Sequence, residues 1–92
     1  MISKRQQDII IRELLQYKPI LIGIFGSYAR NENNAESDLD ILVSFDSDIT
    51  LFDIIGLEQE LTKKLGIKVD LVTEKALRPE LRAFVMQEAI YV

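Results

Sequence analysis

The amino-acid sequence predicts a small α/β domain with its elements in the order α-β-α-β-α-β-α. Three observations carry that expectation. Short strand-like runs at 20–25, 38–45 and 67–72 alternate with stretches whose apolar residues recur at helical spacing. Pro19, Gly66 and Pro79 punctuate the boundaries between them. The chain has 92 residues, of which 48% are hydrophobic, enough for one modest core and a single domain over residues 1–92.

Each element has its own justification. From Ser3 to Tyr17, Ile10, Ile11, Leu14 and Leu15 fall at helical spacing, leaving Lys4, Arg5, Gln7, Arg12 and Glu13 to face water. Pro19 ends this helix, since proline lacks the N–H that a helix interior needs. Ile20–Phe25 is apolar throughout, the pattern of a strand buried on both faces. Tyr28–Asn31 reads as a short helix and residues 31–36 as a polar loop. In the second strand, Asp38–Phe45, alternate side chains share a face, so Leu39, Ile41 and Val43 point one way and Asp38 and Asp40 the other. Thr50 opens the next helix with Asp53 placed as its reciprocal cap. Leu51, Ile54, Ile55, Glu58, Leu61 and Leu65 follow helical spacing, and Gly66 is its stop. Ile67–Val72 is the third strand. Pro79 suits the first turn of a last helix, with Leu81, Phe84 and Val85 as its apolar stripe.

Composition narrows the chemistry. The chain has no cysteine and no histidine, so neither a disulfide frame nor a thiolate or imidazole site is available and carboxylates must carry any catalysis. The net charge is −4, with 11 scattered basic residues, which disfavours direct nucleic-acid binding and suits a protein partner with a basic face. The first residues are charged and no apolar run reaches membrane-spanning length, so a cytoplasmic location away from membranes is expected.

The chemistry concentrates between Gly26 and Val43. Gly26-Ser27 follows the first strand, where bare backbone, the next amides and a hydroxyl can grip a phosphate; alone, the pair is equally a turn and a cap. Asp38 and Asp40 place two carboxylates on one strand face, where they repel unless a hard cation such as Mg²⁺ intervenes; alone, they suit a solvated strand edge. Gly-Ser, ten residues, then Asp-x-Asp arises by chance in about one chain in a thousand of this size. Asp70 interrupts the third strand, and a charge there requires either a partner, such as Lys68 on the same face, or a site. Arg30 suits a phosphate oxygen, or a loop tie to Glu32 or Glu36.

Gly26, Ser27, Ala29 and Arg30, followed by Ser37, Asp38, Asp40 and Val43, resemble the signature of the DNA polymerase β-type nucleotidyltransferases, in particular the minimal nucleotidyltransferase (MNT) branch. Ile41 stands where that branch has leucine, and Asn31 where it has glycine. Asparagine is the next most tolerant residue of a left-handed backbone, so the site is expected to survive that change. The resemblance implies a polymerase β-like core with a small mixed sheet. It also implies two Mg²⁺ ions on Asp38, Asp40 and Asp70, ATP phosphates on Gly26, Ser27 and Arg30, and AMP transfer to a hydroxyl. Small MNT proteins resemble antitoxins paired with HEPN-type RNase toxins, which implies a cognate toxin as partner and one of its tyrosines as acceptor. Two other readings stay open: an inactive module that neutralises a partner by covering it, and a stand-alone enzyme acting on a small-molecule hydroxyl.

Overall fold

The alternation of Leu39, Ile41 and Val43 with Asp40, Leu42 and Ser44 sets the architecture, because it gives the central strand one fully apolar face and one mixed face. The computed structural model describes residues 2–92. Its elements are α1 (Lys4–Leu14), β1 (Pro19–Phe25), β2 (Leu39–Phe45), α2 (Leu51–Leu65), β3 (Val69–Thr73), α3 (Pro79–Glu88) and β4 (Ile90–Tyr91), with 3-10 turns at Leu15–Tyr17 and Glu74–Ala76. The strands form one mixed sheet in the order β3-β2-β1-β4. β1 runs antiparallel to both β2 and β4, while β2 and β3 are parallel.

One face of the sheet buries Ile22, Ile24, Leu39, Ile41, Val43, Val69 and Leu71 against Ile10 and Leu14 of α1 and Leu57 and Leu61 of α2. Leu42 points to the opposite face and is also buried, as is Val85 of α3. The chain ends of α1 and α2 are chemically specified. Ser3 accepts from the Gln6 N–H while the Gln6 side chain accepts from the Ser3 N–H, and Thr50 and Asp53 repeat this exchange. Gly66 closes α2 at φ 71°, a left-handed conformation that favours glycine. Two side chains of α2 reach the outer edge of β3: Thr62 Oγ1 accepts from the Val69 N–H at 3.0 Å and Glu58 Oε2 from the Leu71 N–H at 2.7 Å. They satisfy donors that an open sheet edge would offer to another chain.

The mixed α/β class is as expected, with five departures in detail, the first being that the expected stripe residues Leu15, Leu51, Ile55, Leu81 and Phe84 are exposed. The expected helix at Tyr28–Asn31 is a run of turns. Only one helical bond forms there, from the Arg30 N–H to the Gly26 carbonyl, before Asn31 swings to φ 59° and stops propagation. A fourth strand follows α3, where two residues are too few to show a period. The second and third strands begin at Leu39 and Val69, one and two residues later than expected, so Asp38 and Lys68 lie just before them. Ile20 is exposed rather than buried, because the β1–β2 register shifts between Pro19 and Leu21 and leaves it as the extra residue of a bulge. Among the described residues, no helix is long and apolar enough to cross a membrane.

Two substitutions separate packing from capping. Leu61 is fully buried, so Leu61→Ala is expected to cost about 2–5 kcal/mol of unfolding free energy. Thr50→Ala loses only a cap and is expected to cost about 1 kcal/mol. Urea denaturation of both variants checks the order, and equal losses would contradict it.

Candidate active site

The site begins where β1 runs out. Phe25, its last residue, pairs with Asp40 of β2, so the following turn starts directly beside that carboxylate. Gly26 takes φ 72°, and a Cβ built there would overlap Oδ2 of Asp40 and lie 3.1 Å from its Cγ. Glycine is required at this position twice over, by conformation and by space. The turn is closed by the Arg30, Asn31 and Glu32 N–H groups, which donate to the carbonyls of Gly26, Tyr28 and Ser27. Tyr28 is 9% exposed and packs into the main core, which anchors the turn to the domain interior. Asn31 adopts the left-handed conformation expected for the position where the MNT signature has glycine.

The carboxylates come from the two neighbouring strands. Asp40 and Asp70 are directly opposite each other in the parallel β2–β3 register, and adjacent strands lie only about 4.8 Å apart. Burial pushes the Asp40 carboxyl above its ordinary value, with Asp70 and then Asp38 adding to the rise; Arg30 opposes it. Asp38 lies just before β2 and pairs with Lys68 at 3.6 Å, an exposed contact worth little. Lys68 was expected to serve Asp70, its neighbour two residues along, but the structure gives it to Asp38. Among the described residues, no three acidic groups stand close enough to hold a metal ion in this arrangement. The residue types nonetheless suit a hard divalent cation: Asp38, Asp40 and Asp70 offer carboxylate oxygens, and Asp40 carries an ionisation cost that a cation would remove. Swinging Asp38 from Lys68 to a cation forfeits only that weak surface pair.

Arg30 is held from two sides. Its Nε donates to Glu32 at 3.3 Å and its Nη1 to Glu88 at 2.6 Å, and these bonds raise its pKa, Glu88 first. The tie to Glu32 is one of the two expected for this residue; Glu36 is not the partner. Glu88 was not singled out from the sequence. It ends α3 and also accepts from the Gly26 N–H at 3.4 Å. No local pattern marks it, because Leu81 and Phe84, which share its helical spacing, are exposed. A cleft of about 390 Å³ lined by Phe45, Ile49 and Lys75 opens at the far end of β2 and touches none of these groups.

Two measurements probe this geometry. The folded-state pKa of Asp40 is raised, so folding takes up a proton more readily than the unfolded chain does. Its contribution is fully present below the ordinary value of 3.8 and is lost as pH rises through the folded pKa. Asp40→Asn is therefore expected to melt higher than the parent at pH 7 without metal, with the gap closing as pH falls below that value. A variant that unfolds at neutral pH would instead make Asp40 a structural hydrogen-bonding group. Gly26→Ala is expected to cost about 1–2 kcal/mol of stability from its left-handed backbone, and to push Asp40 aside, abolishing nucleotide-dependent stabilisation in thermal melts. Intact nucleotide response in that variant would separate the turn from the carboxylates.

Comparison with known proteins identifies the family and the fold. A family model described as a nucleotidyltransferase domain matches residues 7–92. The protein adenylyltransferase MntA of Thermococcus cleftensis is 44% identical over 71 residues, covering 77% of this chain and 72% of that protein. A solved structure described as a candidate minimal nucleotidyltransferase superposes with a TM-score of 0.87 at 36% identity, covering 97% of this chain and 91% of the other. An MNT antitoxin–HEPN toxin complex from Shewanella oneidensis, with the toxin tri-AMPylated, gives a TM-score of 0.78 at 26% identity over 98% of this chain and 71% of that one. The chain belongs to the nucleotidyltransferase domain family, and its fold is that of the minimal nucleotidyltransferases.

Proposed function

We propose that this protein transfers AMP from ATP to a hydroxyl, a tyrosine of a cognate HEPN-type toxin, and so acts as an antitoxin. The observation that carries the reading is the close approach of Gly26 to Asp40, which sets the Gly-Ser turn beside one of the three carboxylates and supports reading them as one site. In this reading Gly26 and Ser27 hold the outer phosphates, and Arg30 balances charge beside them. Asp38, Asp40 and Asp70 would hold two Mg²⁺ ions, which when bound would shield phosphate charge and lower the pKa of the attacking hydroxyl. The hydroxyl oxygen forms a bond to the α-phosphorus as the bond to the β-phosphate oxygen breaks, pyrophosphate leaves, and Asp70 takes up the hydroxyl proton. Positioning and electrostatics dominate such chemistry, so a turn and three carboxylates on a rigid sheet suffice.

The acceptor is argued from relatives. MntA is named a protein adenylyltransferase, and the Shewanella complex pairs an MNT antitoxin with an AMPylated HEPN toxin. Both support a protein acceptor over a small alcohol.

Mixing the protein with its toxin partner and Mg-ATP is expected to add about 329 Da per AMP to the toxin, read by intact-mass spectrometry. Asp38→Asn and Asp40→Asn are each expected to abolish the increment. An unmodified toxin that is still inhibited would make the protein a covering module. Modification of a small alcohol with the toxin untouched would make it a stand-alone enzyme.

A further inference from the structure

Glu88 places a carboxylate inside the nucleotide site from outside the signature motif. Its side chain is 14% exposed, with Oε1 accepting from Arg30 Nη1 at 2.6 Å and Oε2 accepting from the Gly26 N–H at 3.4 Å. A glycine-turn amide together with a guanidinium is the donor pair that recognises a phosphate oxygen. We propose that Glu88 is an affinity-determining residue of this site, a resident carboxylate that occupies the phosphate position and gives way when a nucleotide triphosphate seats. The inference rests on Gly26–Arg30 being the phosphate turn, as argued above.

Three features make Glu88 a competitor rather than a clamp. The Gly26 N–H has a single hydrogen to donate, and its bond to Glu88 is at the long, weak end of the range, so it is easily given up to a stronger acceptor. The charge of Arg30 is already matched by Glu32 and Glu88, so a phosphate arriving beside both would meet no net positive charge, with Asp38, Asp40 and Asp70 also nearby. Departure of Glu88 from Arg30 restores that charge to the incoming phosphate. The helix that carries Glu88 is also the most lightly held of the three. Val85 is its one buried residue, Leu81 and Phe84 are 50% and 63% exposed, and its N-cap, Arg78, makes no side-chain cap. Val85 and the pairing of β4 with β1 hold its last turn, so Glu88 leaves by a change of its own side-chain rotamer.

Isothermal titration with magnesium-bound ATP, inorganic tripolyphosphate and adenosine tests the proposal on the full chain and on Glu88→Gln. Glu88→Ala is the second variant, in case glutamine keeps both contacts. Both variants are expected to bind Mg-ATP and tripolyphosphate about tenfold more tightly than the parent, with adenosine affinity unchanged. In an Arg30→Ala background, the gain is expected to shrink, because the two residues share one interaction. Unchanged or weaker Mg-ATP binding by both variants, with the parent binding normally, overturns the competitor role while leaving the nucleotide site intact. Tighter binding of adenosine as well would place the effect away from the phosphates and overturn it equally. If neither parent nor variants bind Mg-ATP or tripolyphosphate, the phosphate-turn reading falls, and this inference falls with it.

Discussion

Asp40 faces Asp70 across two parallel strands, and the rest of the site is organised around that repulsion. Like charges in adjacent register oppose strand pairing, so something else must hold β2 against β3. The opposite face does so. Leu39, Ile41, Val43, Val69 and Leu71 pack beneath α1 and α2, and burial of each such side chain is worth about 1.5–3 kcal/mol. Strand alternation thus ties the reactive face to the apolar one, and the core keeps two carboxylates together that would otherwise separate. Lys68 and Arg30 relieve part of the charge, and neither is bonded to Asp40 or Asp70 directly.

The turn after β1 adds a second constraint to the first. Gly26 must lack a side chain because Asp40 stands where a Cβ would go. Tyr28 reaches the core and so fastens the turn to the domain interior. Asn31 must accept a left-handed backbone so that the chain leaves the turn without forming a helix. Each residue is fixed by a different physical demand, yet all of them serve one distance, that between the turn backbone and the Asp40 carboxylate.

Much of this was legible in the sequence. The Thr50–Asp53 cap and the Gly66 stop follow local rules, so the sequence is enough to place them. Period-two alternation assigned Leu39, Ile41 and Val43 to the core face, and the buried residues agree, whereas Asp38 lies just before the strand it was assigned to. What escaped depends on tertiary contact. β4 is two residues long and exists because Ile90 and Tyr91 meet the open edge of β1 at Ile24 and Gly23. The bulge that exposes Ile20 comes from register between strands, not from composition. Glu88 is 62 residues from Gly26 in sequence, and its approach depends on where α3 docks. The Lys68–Asp38 pair likewise joins residues 30 positions apart. The motif showed which residue types gather at the site but not which charges they meet there.

Ligand-dependent stability tests the central claim, that Gly26, Ser27, Asp38, Asp40 and Asp70 form one metal–nucleotide site, most directly. Thermal melts of the isolated protein are compared with Mg²⁺ alone, ATP alone and both together. The account predicts that the pair stabilises the fold by more than the two separate effects combined, about 2.7 kcal/mol when Mg-ATP is at a hundredfold excess over its Kd. A melting temperature that does not move with millimolar Mg-ATP, or that rises equally with Mg²⁺ alone, would contradict it.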